Sequence, residues 1–136
     1  MDYGTGKRLW AWCAELALRL WHGWSDPALT GLATTEYYDA VEAGDPNVRD
    51  YFRLFMMPGV LHCSGGPGPD RVDWITALEQ WVEDGSAPDR LLATRFGEDQ
   101  SIERTRPLCS YPQVAAYVGS GSADEAVNFS CQNPMQ

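Results

Sequence analysis

The sequence of 136 residues lacks the marks of several common protein classes. No apolar run approaches the roughly 18 residues that a transmembrane helix needs. The net charge of −9 argues against a nucleic-acid-binding surface, which is basic. There is no Cys-x-x-Cys pair, and two histidines are too few for a zinc-finger spacing. No Gly-Lys-Ser/Thr follows the glycines of residues 64–69, which excludes a phosphate-binding loop.

The N-terminal residues do not have the pattern of a signal peptide. Residues 1–21 are partly apolar, but Glu15 and Arg19 interrupt the apolar stretch and no small-residue cleavage site is present. Hydrophobic residues make up 44% of the chain, which is typical of a globular protein and sufficient for one modest domain with its own core.

The order of the local patterns predicts an α/β fold with parallel strands. Compact apolar runs at residues 16–21 and 50–59 predict buried strands, and residues 89–96 predict a third strand. Residues 27–44 and 69–85 predict helices that end at Gly44 and Gly85. The tail, residues 103–131, is predicted to be rich in loops, with one short helix or strand. Because two parallel strands do not close a sheet, we expect the chain to be part of a larger one.

Each predicted helix has an apolar stripe. In the first helix the stripe consists of Leu29, Leu32, Ala33, Tyr37, Ala40 and Val41. In the second it consists of Val72, Ile75, Leu78 and Val82, joined by Trp74 and Trp81. We expect Met56 and Met57 in the core, together with five of the six tryptophans: Trp10, Trp12, Trp21, Trp74 and Trp81.

Two polar loops follow the predicted parallel strands, and each contains a residue suited to catalysis. Asp26 lies in the first loop and His62 in the second. Ligands and catalytic groups collect at this edge of an open α/β sheet. An aspartate followed by a histidine is the second half of the Ser, Asp, His order of α/β-hydrolases. A histidine accepts the proton of a serine hydroxyl and returns it to the leaving group, while the carboxylate fixes the tautomer.

Structural interpretations of the same residues stay open from the spacing alone. Asp26 precedes Pro27 and is in place to cap the next helix, and His62 is suited to a turn. His22 competes with His62 for the role of base. It lies at the end of its strand, four residues before Asp26, so we favour a hydrogen bond that orients the loop over proton transfer. Trp24, beside Asp26, is a candidate lining residue of the site.

Several separated motifs resemble the C-terminal part of the tannase and feruloyl esterase family. They are "LWHGWSDPAL", "YFRLFMMPGVLHCSGGPGPD", "ALEQWVEDGSAPDRLLATR" and "RTRPLCSYPQVAAYVGSGSADEAVNFSC", and they occur in the family's order and spacing from about residue 18 to residue 131. The resemblance implies an α/β-hydrolase fold and a Ser-Asp-His triad that hydrolyses phenolic esters, feruloyl or galloyl. In that triad Asp26 is the carboxylate and His62 the base.

The resemblance also assigns three of the four cysteines. It implies that Cys109 and Cys131 form a disulfide, and that Cys63 pairs with a cysteine beside the nucleophilic serine, which this chain does not contain. Cys13 matches nothing in the family, and for it we favour a buried free thiol. Disulfides imply an oxidising compartment, so we expect the intact family member to be secreted or periplasmic.

The chief departure from the family pattern is the lack of a nucleophile, since no Gly-x-Ser-x-Gly occurs. Ser64 is not a substitute, because it follows His62 in one loop without a strand-to-helix elbow. The oxyanion-hole donors and the lid domain, with the family's calcium site, are also missing.

We therefore expect residues 18–136 to be the C-terminal portion of a catalytic domain and residues 1–17 to be an atypical N-terminal segment. The expected partners are an aromatic ester substrate and the missing N-terminal part of the same enzyme, with no cofactor in this chain, no nucleic acid and no membrane. The alternative is a non-catalytic remnant or a binding subunit that lacks its own nucleophile.

Overall fold

The computed structural model describes residues 17–134, which form seven strands, two α-helices and two short 3-10 helices. The elements are β1 (Leu18–Gly23), α1 (Gly31–Gly44), β2 (Phe52–Met57), β3 (Arg71–Val72), α2 (Trp74–Asp84), β4 (Arg90–Phe96), β5 (Ile102–Cys109), β6 (Val114–Tyr117) and β7 (Phe129–Gln132), with 3-10 helices at Val48–Asp50 and Ala126–Asn128. Neither α-helix of these residues has the length and apolar character that a membrane span requires.

The strands form one parallel pair and two antiparallel sheets. β1 and β2 run parallel, with Leu18 opposite Phe52 and Gly23 opposite Met57. β3, β4 and β5 form an antiparallel sheet in that order, and β6 pairs with β7, also antiparallel. The expected parallel arrangement therefore holds for one pair of strands only. β4 and β5 are joined by a short loop, and a short loop returns the chain antiparallel to itself.

β2 lies at the centre of the core because both of its faces are buried. On one face, Phe52, Leu54 and Met56 pack with Tyr38 of α1 and with Val48. On the other face, Phe55 and Met57 pack with Val60, Ala93 and Leu108. Consecutive residues of a strand point to opposite faces, so one short apolar run fills both clusters. The predicted burial of Met56 and Met57 is confirmed.

The prediction of a loop-rich tail is wrong, because the tail contains three strands. β5 pairs along β4, with Pro107 opposite Leu92. A proline and several charged residues weaken the local strand signal of β5, and pairing with β4 overrides it. Cys109 at the end of β5 and Cys131 in β7 form a disulfide with a Cα–Cα distance of 5.7 Å, as the resemblance implied.

The apolar stripe predicted for α1 is wrong except for Val41, which packs against the core. Leu29, Leu32 and Tyr37 are exposed, whereas the buried residues of the helix are Gly31, Thr35 and Tyr38. Docking of the Tyr38 ring against Phe52 sets the inward face of the helix, and the Tyr38 hydroxyl donates a hydrogen bond of 2.8 Å to the Phe52 carbonyl. One specific tertiary contact therefore decides the face, rather than the number of apolar side chains on it.

The stripe predicted for α2 is confirmed in part, since Trp74, Leu78 and Trp81 face inward as expected. Ile75 and Val82 are exposed, and Val72 belongs to β3. The inward residues are Trp74, Ala77, Leu78 and Trp81, which also follow a helical spacing. Asp73 caps the helix by accepting a hydrogen bond from the amide of Thr76. Gly85 ends it in the left-handed conformation, as predicted.

The tryptophans predicted to be in the core differ in burial. Trp81 is buried, whereas Trp21 and Trp74 are half-buried and stack on each other with ring centroids 5.9 Å apart. Trp10, Trp12 and Cys13 lie outside the described residues, as does nearly all of the N-terminal segment, residues 1–17.

Candidate active site

The loops that follow β1 and β2, residues 24–30 and 58–70, leave the parallel pair at the same edge and are joined by hydrogen bonds. The Trp24 amide donates to the Met57 carbonyl at 2.9 Å, and the Ser25 amide donates to the Val60 carbonyl at 3.0 Å. Gly23 permits this approach, since a Cβ atom at that position would lie 2.3 Å from the Val60 carbonyl oxygen. The two loops therefore form one structural unit at the end of the strands, which we call the platform.

Asp26 and His62 meet on this platform although 36 positions separate them in the chain. His62 Nδ1 lies 2.6 Å from Asp26 Oδ2, within hydrogen-bond range. A carboxylate only accepts, so Nδ1 carries the proton and donates it, which leaves Nε2 as the basic nitrogen of the neutral imidazole. The Asp26 side chain is 3% exposed and the His62 side chain 55% exposed. The carboxylate is thus enclosed, whereas the imidazole is open to solvent.

The second oxygen of Asp26 is held by the backbone of its own loop. Oδ1 accepts from the amides of Ala28 at 2.8 Å and Leu29 at 3.0 Å. The hydrogen bond from His62 is the largest cause of a lowered pKa at Asp26, and these two amides also contribute. Burial opposes the shift, and the pKa of Asp26 falls from 3.8 to about 2. The carboxylate is therefore ionised at every ordinary working pH.

Asp26 does not cap α1, which was one of the structural interpretations. The N-cap of that helix is Thr30, whose side chain accepts from the Leu32 amide. Asp26 instead forms a local turn with residues 28 and 29 through Oδ1 and leaves Oδ2 for histidine.

His22, the competing base, lies beside the same carboxylate but is more enclosed. His22 Nε2 is 3.2 Å from Asp26 Oδ2 and 3.1 Å from the Leu29 carbonyl oxygen. His22 Nδ1 is 2.6 Å from the Thr34 hydroxyl oxygen. The side chain is 11% exposed, and both ring nitrogens have protein partners. This arrangement suits an orienting residue better than a base that must reach a reactant.

The loop that carries His62 is a compact turn built on glycine. Gly68 donates to the Gly59 carbonyl at 2.9 Å, and a Cβ atom on Gly68 would lie 2.1 Å from the Pro58 carbonyl oxygen. Cys63 is exposed, unpaired and in the left-handed backbone region with φ of 62°. Ser64 donates its amide to the His62 carbonyl, and its hydroxyl makes no hydrogen bond to the His62 ring.

Trp24 lies at the side of the platform. Its side chain is 42% exposed, and together with Asp26 and the first residues of α1 it lines an open surface cavity of about 550 Å³. The ring packs against Gly31, where an added Cβ would lie 2.7 Å from it. Trp24 thus lies beside Asp26, and its role as a lining residue of an active site stays a prediction.

Two parts of the platform have no clear signal in the sequence. Thr34 is an ordinary helix residue twelve positions after His22, and only the docking of α1 brings its hydroxyl to the imidazole. The amides of Ala28 and Leu29 belong to the backbone and have no residue type to reveal them. Gly23 is different, because a glycine within a predicted strand indicates a close approach of another backbone segment and could have been noted in the sequence.

No metal site is evident on the platform. Within residues 17–134 there is no cluster of three or more His, Cys, Asp or Glu side chains able to hold a metal ion. The family calcium site was expected in a lid domain outside this chain, and that expectation stays a prediction.

Comparison with known proteins identifies the family. The family model described as Tannase and feruloyl esterase matches residues 17–132. The mono(2-hydroxyethyl) terephthalate hydrolase of Piscinibacter sakaiensis is 48% identical over 117 residues, which are 85% of this chain and 19% of that protein. A probable feruloyl esterase of Arthroderma benhamiae is 38% identical over 82% of this chain and 22% of its own length.

The solved structures agree with the sequences. Feruloyl esterase B from Aspergillus oryzae superposes with a TM-score of 0.79 at 25% identity, over 85% of this chain and 26% of that one. An esterase from Aspergillus oryzae gives a TM-score of 0.77 at 26% identity, covering 85% and 27%. Both have an α/β-hydrolase-like fold. The chain thus spans about a fifth to a quarter of the relatives it matches, and it belongs to the tannase and feruloyl esterase family.

Proposed function

We propose that this chain supplies the base and the orienting carboxylate of a serine carboxylic-ester hydrolase that acts on phenolic esters, feruloyl or galloyl. The observation that supports the proposal best is the 2.6 Å contact between His62 Nδ1 and the enclosed carboxylate of Asp26. It leaves Nε2 basic and on the open side of the platform, which is the arrangement that general base catalysis needs.

The proposed reaction is acyl transfer to water. His62 Nε2 takes the proton of a serine hydroxyl while the serine oxygen attacks the ester carbonyl. The imidazolium that forms is stabilised by the ionised Asp26, and it then protonates the departing alkoxide. Water attacks the acyl-enzyme in the second half of the reaction, with His62 again acting first as base and then as acid. Asp26 stays ionised throughout, in accordance with its lowered pKa of about 2.

The serine in this proposal belongs to polypeptide outside the chain, because the sequence has no Gly-x-Ser-x-Gly. Cys63 supports this view, since it is exposed and its left-handed backbone is a costly conformation for a residue with a Cβ. A disulfide from Cys63 to a cysteine beside the serine would hold base and nucleophile in register. The exposed Leu29, Leu32 and Tyr37 of α1 provide apolar surface for the same polypeptide to cover.

The compartment and the cofactors follow from the same proposal. The Cys109–Cys131 disulfide supports an extracytoplasmic location for the intact enzyme. In this proposal His62 transfers protons and Asp26 orients it, with no cofactor involved, and we place the calcium ion of the family in the lid rather than in this chain.

A chimeric enzyme tests the proposal. Residues 17–132 replace the matching segment of the mono(2-hydroxyethyl) terephthalate hydrolase, which contributes the rest of the enzyme. We expect the chimera to hydrolyse methyl ferulate or the parent's own ester. Asp26→Asn should lower kcat by about ten-thousand-fold, the loss seen for a triad carboxylate. Asp84→Asn, in the last turn of α2, is the matched control and should retain full activity.

Two results would decide against the proposal. A folded chimera without activity would favour the alternative of a non-catalytic remnant or binding subunit. An active chimera that loses less than about tenfold on Asp26→Asn, with unchanged melting temperature, would assign the triad carboxylate to another residue. Reading the DNA upstream of codon 1 for an in-frame Gly-Cys-Ser-x-Gly-Gly is an independent check.

A further inference from the structure

The carboxylate of Asp26 is shared by two imidazoles, and this is more than a catalytic triad requires. Oδ1 is occupied by two backbone amides, so Oδ2 is the oxygen left for side chains. His62 donates a hydrogen bond to Oδ2 at 2.6 Å, and His22 Nε2 lies 3.2 Å from the same oxygen in an ion-pair contact. Protein groups therefore surround both oxygens of an almost fully enclosed carboxylate.

The surroundings of His22 decide where its ring proton lies. Nε2 faces two acceptors, Asp26 Oδ2 and the Leu29 carbonyl, neither of which can donate. Nε2 must therefore carry a proton, and its hydrogen bond goes to the Leu29 carbonyl. In the neutral ring Nδ1 then has a free lone pair, and the Thr34 hydroxyl at 2.6 Å is its donor. The hydrogen bonds run in one direction, from Thr34 to His22 and from His22 to the Leu29 carbonyl, while the Leu29 amide donates to Asp26 Oδ1.

We propose that His22 and Thr34 are positioning residues, which hold the Asp26 carboxylate in the orientation that receives the N–H of His62. The role rests on the proposed function, in which Asp26 orients the base. A carboxylate rotates easily about its last bond, and water is poorly placed to restrain one whose side chain is 3% exposed. By holding the Leu29 carbonyl, the His22 Nε2–H keeps the Leu29 amide on Asp26 Oδ1 and so restrains that rotation. Thr34 fixes His22 in the matching tautomer through α1.

His22 is not the base in this arrangement, because it has no nitrogen free for a reactant. Its Nε2–H donates to the Leu29 carbonyl, and its Nδ1 accepts from the Thr34 hydroxyl. His62 differs in that only Nδ1 has a hydrogen-bond partner within the described residues, and its side chain is half open to solvent. The two histidines thus have different roles: His22 orients the carboxylate, and His62 exchanges protons with the reactants.

The test uses the 136-residue chain itself, whose two histidines give two assignable sets of imidazole ¹⁵N signals. The wild-type chain should show His22 as the Nε2–H tautomer and His62 as the Nδ1–H tautomer. In His22→Phe, which removes the donor, exchange of the His62 Nδ1 proton with water should become at least about tenfold faster. His22→Gln places an amide N–H near the lost Nε2 and should recover most of the protection.

Thr34 provides a second, milder variant in case His22→Phe perturbs the fold. Thr34→Val removes the hydroxyl at nearly constant volume and should shift the His22 signals towards a mixture of tautomers, whereas Thr34→Ser should retain one. Thr76→Val on α2 is the matched control, because its hydroxyl lies near Asp73 rather than at the platform, and it should leave both histidines unchanged. Circular dichroism melts establish that each variant is folded.

The outcomes separate this proposal from the proposed function. Unchanged His62 exchange in a folded His22→Phe chain, together with unchanged tautomers in Thr34→Val, would overturn the positioning role whatever the chimera does. In an active chimera, His22→Phe should lower kcat by about ten- to a hundred-fold with little change in KM. If the chimera is inactive but the NMR experiments give the expected results, the positioning role of His22 and Thr34 is retained and the esterase proposal fails.

Discussion

Asp26 has three hydrogen-bonding partners in the described structure, and a second imidazole, that of His22, lies 3.2 Å from its Oδ2. Two backbone amides hold Oδ1 in a local turn, and the imidazole of His62 donates to Oδ2. In the sequence a helix cap was the alternative to a catalytic role for Asp26, and the structure gives that cap to Thr30. The two carboxylate oxygens thus serve different sets of donors, one from the backbone and one from a side chain.

The lowered pKa of Asp26 predicts how this residue titrates. We expect a carboxyl ¹³C titration of the folded chain to give a pKa of about 2 for Asp26, and His62→Phe to raise it towards 3.8, since the hydrogen bond from His62 is the largest cause of the shift. Asp73 is the internal control. Its pKa is lowered chiefly by the amide of Thr76, so it should not move in the same variant.

The direction of the effect on stability follows from the sign of that shift. A carboxyl whose pKa is lower in the folded state stabilises the fold above its unfolded value and loses that contribution as the pH falls through the folded value. For Asp26 the window runs from pH 3.8 down to about 2. Wild-type chain should lose more stability across this window than His62→Phe, measured by urea unfolding at several pH values. Equal losses would contradict the assigned cause.

Among the elements, the approach of the two loops depends on one glycine. Gly23→Ala would place a Cβ atom 2.3 Å from the Val60 carbonyl oxygen and 2.4 Å from the Leu61 carbonyl oxygen. Backbone atoms cannot move aside as a flexible side chain can, so we expect a destabilisation of about 1–3 kcal/mol and a lengthened contact between the loops of Asp26 and His62.

Gly44→Ala is the matched control for that substitution. It makes the same chemical change at the last residue of α1, where no atom lies within 4 Å of the added Cβ. We expect its free energy of unfolding to equal or slightly exceed that of the wild type. If both variants lose the same stability in urea unfolding, the close approach at Gly23 is not the cause.

The disulfide between β5 and β7 predicts a second effect at the scale of elements. Cys109 and Cys131 close a loop with a sequence separation of 22. Closing a loop of that size in the unfolded chain stabilises the fold by roughly 3 kcal/mol. Cys131→Ser should therefore lower the free energy of unfolding by about that amount, mainly by releasing β6 and β7. Cys63→Ser, at an exposed free thiol, is the control and should have almost no effect.

For the whole molecule, the proposed function places the base and the orienting carboxylate in a chain whose sequence contains no Gly-x-Ser-x-Gly. We expect the purified 136-residue chain to release no alcohol from methyl ferulate or a chromogenic aryl ester above the uncatalysed rate. The chimera with wild-type sequence is the positive control. Turnover by the pure chain that is abolished in His62→Ala would contradict this prediction and require a nucleophile within the 136 residues.

The sequence by itself determined the residues and the locations of most local elements. Compact apolar runs and glycine stops located β1, β2, β4 and the C-terminal ends of both helices, because these signals are local. The motifs around Asp26 and His62 are local as well. Their order along the chain indicated the family without any knowledge of how the segments pack.

Only the tertiary structure decided which surfaces and side chains meet. The inward face of α1 was set by Tyr38 against Phe52, and the strands of the tail by pairing with β4 and with each other. Thr34 reached His22 through the docking of a helix. These are contacts between residues distant in sequence, and their energies depend on geometry that no local pattern contains. The residues of the candidate site could therefore be named from the sequence, whereas the hydrogen bonds among them depended on the fold.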